Sequence, residues 1–281
     1  VRSFCEEYLK PRGIDYGVYD PLIGAGIADL IDDKVKLVWV ESPGSNTMEV
    51  QDIPAIVKAA KAKGVLVGCD NTWATPLIFK PLAHGVDFAC EALTKYVGGH
   101  SDLLLGSITV ADIGLRERLK ETLRGLGVGV SPDECQLALR GLETLALRLA
   151  HMGKVSEDFA RRLTRSPAVE TVLHPALPSC PGHEFWKRDM GRSSGVFSVV
   201  LKPVPHAVLE AALSALGVFA IGASWGGTRS LIAPLAPEGD RTVVPWPHQG
   251  PSLRISVGLE DPDDLWNDLD ALLVALEQPA A

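Results

Sequence analysis

Val65-Leu66-Val67-Gly68-Cys69-Asp70 and, further on, Val86-Asp87-Phe88-Ala89-Cys90-Glu91-Ala92-Leu93-Thr94-Lys95 are the stretches that decide the fold. Each is a short, apolar, β-branched run that delivers a charged residue at or just beyond its end. Val35 to Val40 (VKLVWV) behaves the same way and runs into Glu41-Ser42-Pro43-Gly44, a turn cluster. Leu103 to Val110 (LLLGSITV) reads as a fourth strand. Between the first two strands, residues 52–63 have helical composition and stop at Gly64. Short apolar strands alternating with helical segments predict an α/β domain with a mostly parallel sheet covered on both faces. In such sheets ligands bind beyond the carboxyl ends of the strands, where Glu41, Asp70 and Lys95 fall.

Downstream, Ser131-Pro132-Asp133-Glu134 is a capping box with Pro at the first helical position. The helix it opens carries Leu142, Leu145, Leu149, Met152, Phe159 and Leu163 at near-helical spacing, with Gly141 and Gly153 as points of expected bending. A new series follows: strand 195–201, helix 206–216, strand 218–221 and strand 252–257. Asp261-Pro262-Asp263-Asp264 then starts a last helix. Residues 174–193 and 233–251, rich in Pro, Gly and His, read as loops. The expected division is a cofactor-binding domain at 1–141 and a smaller C-terminal α/β domain at 142–281.

Composition excludes several classes. The chain has 281 residues, 27 Lys plus Arg against 35 Asp plus Glu, and a net charge of −8. No basic stripe is available to neutralise phosphates, so nucleic acid is not an expected partner. No run of 18 apolar residues exists, so no membrane-spanning helix is expected. The five cysteines form no CxxC pair, which argues against a zinc ribbon or disulfide framework and fits a reduced, cytoplasmic setting. No HxH or HExxH spacing suggests a metal site. Gly24-Ala25-Gly26 lacks the third glycine of a dinucleotide fingerprint and reads as the start of a helix. His100, His151, His174 and His183 read as structural.

Asp70 and Lys95 are the productive pair. A Lys just after a buried strand, followed by Gly98-Gly99, can form a Schiff base. An Asp ending the neighbouring strand can keep a heterocyclic nitrogen protonated. Together they match what pyridoxal phosphate asks of a protein. A simple Asp–Lys salt bridge is the alternative reading of the same two residues.

The residues around the pair resemble a known family. Asp70-Asn71-Thr72-Trp73-Ala74, Ala92-Leu93-Thr94-Lys95-Tyr96-Val97-Gly98-Gly99-His100-Ser101-Asp102, Glu41-Ser42-Pro43-Gly44-Ser45, Ser224-Trp225-Gly226-Gly227 and Leu253-Arg254-Ile255-Ser256-Val257-Gly258 look like the motifs of the Cys/Met-metabolism pyridoxal-phosphate enzymes, in family order. His183-Glu184-Phe185-Trp186-Lys187-Arg188-Asp189 and Trp225 resemble the bacterial β-lyase branch. The resemblance implies a fold type I, PLP-dependent transferase-like architecture. It implies Lys95 as the Schiff-base lysine and later proton carrier, Asp70 on the pyridine nitrogen and Thr94 on the cofactor phosphate. Arg254 would clamp the substrate carboxylate, with Ser224 and Trp225 lining its pocket.

The implied reaction is a carbon–sulfur lyase's β-elimination of L-cystathionine to homocysteine, pyruvate and ammonia, a transsulfuration step of methionine biosynthesis. The alternatives are γ-elimination or γ-synthesis on the same scaffold, a broad cysteine-conjugate β-lyase, or a truncated, inactive remnant that serves as a binding partner. A homotetramer built as a dimer of dimers is the implied assembly. Two departures stand out: Ala92 occupies a position where the family commonly has a phosphate-binding Ser, and Ser45-Asn46 replaces the common Asn-Pro. The resemblance also implies roughly a hundred residues upstream of Val1, with a phosphate loop and a stacking aromatic. Weak or absent cofactor binding by residues 1–281 alone is therefore expected.

Overall fold

The computed structural model describes residues 1–277. Two sheets organise them. The first has the order β1-β2-β3-β4, with β1 at Leu37–Glu41, β2 at Leu66–Asp70, β3 at Phe88–Ala92 and β4 at Gly106–Thr109. β1, β2 and β3 are parallel, and their register sets Glu41 opposite Asp70 and Asp70 opposite Cys90. Helix α1 (Ile53–Ala62) makes the crossover from β1 to β2, capped by Asp52, whose carboxylate accepts from the Ala55 N–H at 3.2 Å. Its buried stripe of Ile53, Ile56, Val57 and Ala60 has helical spacing and packs into the same core as Val38, Val40 and Val67.

The sheet is mostly parallel, as expected, and β4 runs antiparallel to β3. The segment between them holds no helix, so it cannot make the long crossover that a parallel pair needs. Helix α2 (Ile113–Gly125) follows, and then α3 (Pro132–Leu163), opened by the expected capping box. α3 runs unbroken for 32 residues, contrary to the bend expected at Gly141 or Gly153. Both glycines are buried where a neighbouring backbone comes close: an added Cβ would lie 2.0 Å from the Val97 carbonyl oxygen at Gly141 and 2.1 Å from the Ser193 carbonyl oxygen at Gly153. Close packing, not helix weakness, accounts for them.

The second sheet has the order β5-β6-β9-β8-β7: β5 Val169–Leu173, β6 Val196–Leu201, β7 Ala220–Ile221, β8 Leu231–Leu235 and β9 Ser252–Ser256. Helices α4 (His183–Asp189), α5 (His206–Ser214) and α6 (Pro262–Glu277) accompany it. The two stretches read as loops therefore contain structure. α4 lies inside 174–193, and most of β8 and a short helix at Pro237–Asp240 lie inside 233–251. Proline and glycine content masked them, and β8 tolerates Pro234 in mid-strand.

On the central strands, alternation divides two buried faces. Phe197, Val199, Leu201, Leu253 and Ile255 pack with Val155, Phe159, Leu209, Leu265 and Leu269 of the helices. Ser198, Ser252, Arg254 and Ser256 stand on the opposite face, also buried. That polar face meets the first sheet's loops. Trp73 Nε1 donates to the Val196 carbonyl at 2.9 Å, the Gly195 N–H donates to the Tyr96 hydroxyl at 2.8 Å, and Ser198 Oγ donates to the Asn46 carbonyl at 2.6 Å. We propose the division at 141/142, with α3 as the element that crosses it.

Candidate active site

The carboxyl ends of β1, β2 and β3 and the polar face of β6 and β9 converge on one place. Asp70 ends β2 and starts an Asx turn: its carboxylate accepts from the Thr72 N–H at 2.9 Å and the Thr72 hydroxyl at 2.6 Å. Thr72 Oγ1 in turn accepts the Ala92 N–H at 2.9 Å, tying the Asp70 turn to the end of β3. The Lys95 N–H donates to the Ala92 carbonyl at 3.0 Å, so Lys95 stands on the turn that leaves that strand.

Lys95 Nζ donates to Ser224 Oγ at 3.0 Å and lies 5.3 Å from the Trp225 ring centroid. Trp225 packs edge-on against Tyr96, the residue after Lys95, with ring centroids 5.4 Å apart. Gly226, at φ +80°, follows, and a Cβ there would approach the Lys95 carbonyl carbon to 3.2 Å. The 224–227 loop can close over the Lys95 backbone because this residue has no side chain.

Arg254 sits mid-strand in β9, only 9% exposed. Its Nη1 donates to Asn46 Oδ1 at 2.9 Å and to the Ser45 carbonyl at 3.5 Å, and its Nη2 donates to the Ala223 carbonyl. Ser198, its cross-strand neighbour, holds Asn46 by the backbone. The two strands thus grip Asn46 from both sides.

The electrostatics link these groups in a chain. Burial first, and then the neighbouring Asp70, raises the Glu41 carboxyl above its ordinary value. Burial lowers Arg254, and Glu41 opposes that. Burial and then Arg254 lower the Lys95 amine below the ordinary lysine value. A lysine lowered this way keeps a larger neutral fraction at a given pH than an ordinary one, as a general base requires. Glu91, on β3, is pushed up to about 7 by burial, with Asp70 adding to the shift.

The structure brings Lys95, Ser224, Trp225 and Arg254 together, with Asp70 on the adjoining strand end. Asp70 and Lys95 form no ion pair among the described residues, so the salt-bridge reading of the two gives way. Thr94 does not stand as a free phosphate donor. Its hydroxyl accepts the Leu105 N–H at 3.0 Å and donates to the Leu105 carbonyl at 3.3 Å. Ala92 offers no side-chain donor. Thr72, Asn46 and Tyr96 had no assigned role in the sequence reading. Only Thr72, two residues after an Asp at a strand end, carried a local signal for its contact. His100 orders its loop as expected, Nδ1 donating to the Gly98 carbonyl at 2.7 Å. Among the described residues no cluster of three or more His, Cys, Asp or Glu could hold a metal, and all five cysteines are free.

These residues fit the reactive end of pyridoxal phosphate. Among the described residues, a half-buried amine with no carboxylate partner is available to its aldehyde, and a carboxylate in no ion pair is available to its protonated ring nitrogen. The fold and site define a pyridoxal-phosphate enzyme of the α/β type. The comparisons agree: the family model described as Cys/Met metabolism PLP-dependent enzyme matches residues 1–274, and the chain belongs to that family.

A Rhizobium johnstonii relative is 47% identical over 274 residues, 96% of this chain and 69% of its own length. The cystathionine β-lyase of Escherichia coli is 41% identical, covering 96% of this chain and 70% of its own length. A Wolbachia pipientis protein named L-alanine/L-glutamate racemase is also 41% identical, covering 98% and 68%. Among solved structures, a cystathionine γ-lyase from Lactobacillus plantarum superposes with a TM-score of 0.90 at 27% identity, covering 98% of this chain and 73% of that one.

Proposed function

We propose that the chain is a carbon–sulfur lyase that carries out β-elimination of L-cystathionine to homocysteine, pyruvate and ammonia. The observation that carries this is Lys95: an amine lowered by burial and by Arg254, with no carboxylate partner among the described residues, and oriented by Ser224. Pyridoxal phosphate, when bound, supplies the electron sink that makes a substrate Cα–H acidic. Lys95 and Asp70 would hold its aldehyde and ring nitrogen, and Thr94 its phosphate. That last role would require Thr94 to give up its donation to Leu105.

Arg254 would bind the substrate carboxylate through its guanidinium, whose plane is set by Asn46 and Ala223; a two-pronged contact would require Nη1 to give up its donation to Asn46 or Ser45. Neutral Lys95 takes the Cα proton. The electron pair of that bond forms a Cα–Cβ double bond, and the Cβ–S bond breaks to release homocysteine thiolate. Water then converts the three-carbon remainder to pyruvate and ammonia. Ser224 accepts an N–H of Lys95 and so directs the amine between these transfers. Trp225 keeps water from one side of it.

Several relatives named cystathionine β-lyase support β-elimination over the γ alternatives. The test is product analysis with L-cystathionine. Pyruvate with homocysteine is expected, whereas 2-oxobutyrate with cysteine would assign γ-elimination. The Wolbachia relative supports a second reading, because racemisation begins with the same proton removal. D-alanine formed from L-alanine without pyruvate from cystathionine would favour it.

The proposal includes a homotetramer, supported by Leu139, Leu142 and Leu147 standing exposed on α3 and Ile113 on α2. It includes a cytoplasmic location, supported by the five unpaired cysteines. No helix among the described residues is long and apolar enough to cross a membrane.

A further inference from the structure

Arg148 lies in α3, outside the constellation just described, and is only 5% exposed. Taking a guanidinium out of water is costly unless it is paired and hydrogen-bonded. Arg148 has no carboxylate partner among the described residues. Its partners are backbone carbonyls and one hydroxyl. Nη1 donates to the Tyr96 carbonyl at 2.7 Å, Nη2 to Val97 at 3.3 Å and to Gly141 at 2.8 Å, and Nε to Thr144 Oγ1 at 2.9 Å. Tyr96 and Val97 are the two residues that follow Lys95.

The surrounding backbone is shaped to this contact. Gly99 adopts φ +72°, and a Cβ there would lie 2.2 Å from Arg148 Nη1. Gly141 leaves room for the Val97 carbonyl against the helix. Within the turn, the Gly99 N–H closes back on the Lys95 carbonyl at 2.8 Å. α3 also carries Leu145, Leu149 and Met152 into the core shared with Tyr96 and Trp225, so the helix is a rigid base for the turn.

We propose that Arg148 is a positioning residue for Lys95: its buried guanidinium clamps the carbonyls of the two residues after the lysine onto α3 and so aims Nζ at Ser224 and the reacting carbon. It does not touch substrate or cofactor; it acts through the turn. The proposal rests on Lys95 being the proton carrier of the proposed reaction. Misplacing such a group by about 1 Å can cost on the order of 100-fold in rate.

The test uses the full-length protein with Arg148→Gln, Arg148→Lys and, as a milder change that keeps the cation, Thr144→Val. The first readout needs no turnover: acetylation of the cofactor-free protein across pH, mapped by peptide mass spectrometry, follows the ionisation of the free Lys95 amine. In the wild type Lys95 becomes reactive at lower pH than an ordinary lysine amine. In Arg148→Gln that difference shrinks, kcat falls on the order of 100-fold, and KM changes less than about threefold, because Arg254 still binds the carboxylate. Arg148→Lys recovers only part of the loss, since an ammonium cannot span the same carbonyls. Thr144→Val moves both readouts the same way by a smaller amount and stands in if Arg148→Gln does not fold.

A folded Arg148→Gln or Thr144→Val protein with the ionisation of Lys95 and kcat unchanged overturns the proposal. If the wild type releases no pyruvate but the ionisation still follows Arg148, the lyase reading fails and the positioning role stands.

Discussion

The two sheets supply different halves of the chemistry. The parallel β1-β2-β3 set presents its carboxyl ends, and from them come Lys95 and Asp70, the proposed proton carrier and ring partner. The antiparallel set offers the buried polar face of β6 and β9, and from it comes Arg254, in mid-strand, braced by Ser198 and Asn46. A parallel strand end can hold a reactive group on a turn, where it can swing. A central strand fixes an arginine on both sides, which suits recognition of a planar carboxylate. The contrast predicts that damage on the parallel side appears in kcat and damage on the antiparallel side in KM.

The largest effect is expected at Lys95. Lys95→Ala should lower kcat by roughly a thousandfold or more, as loss of a general base does, while thermal denaturation changes little because the side chain is only half-buried. Retained turnover in steady-state assays would break the comparison at its centre. Arg254→Lys comes next. Losing the two-pronged fork should reduce kcat/KM by about 100-fold, equivalent to about 3 kcal/mol. Most of the loss should be carried by KM, and an unchanged KM would remove Arg254 from carboxylate binding.

The third prediction concerns stability on the antiparallel side. His174 is fully buried, its Nδ1 accepting the Ala176 N–H at 3.1 Å. Burial lowers its pKa from 6.5 to about 4, with Glu157 opposing and Arg161 reinforcing the shift. Between those two values the unfolded chain binds more protons at this position than the folded one, so stability falls as pH falls from 6.5 toward 4. The contribution is intact above 6.5 and declines by up to roughly 3 kcal/mol across the window. Urea denaturation of wild type and His174→Gln at several pH values should show the variant lacking this slope.

The smallest effect is at the seam. Trp73→Phe removes the donor to the Val196 carbonyl and should cost about 1–2 kcal/mol, read as a lower Tm. A comparable loss of kcat at constant Tm would instead mean that Trp73 takes part in the chemistry.

The parallel half was largely legible in the sequence. Apolar strands ending in charge marked Asp70 and Lys95, and the capping box marked the start of α3. Arg254 was legible only through family resemblance. In Ser252-Leu253-Arg254-Ile255-Ser256, alternation alone would assign the arginine to solvent, yet both faces of β9 are covered. Arg148 gave no signal, because an arginine in a helix among Arg140, Lys154 and Arg161 reads as a solvated charge. The turn that buries it is distant in sequence. A strand's composition does not encode its direction; for β4 the missing crossover helix does. Thr94 shows the same limit. The family resemblance implies a phosphate donor there, and the sequence does not reveal the hydrogen bonds to Leu105 that hold its hydroxyl.

The most direct test of the account is borohydride reduction of the pyridoxal-phosphate-loaded protein, followed by peptide mapping. The account predicts a single pyridoxyl group on Lys95, absent from Lys95→Ala. A label on another lysine, or none on Lys95 in folded protein, would contradict it.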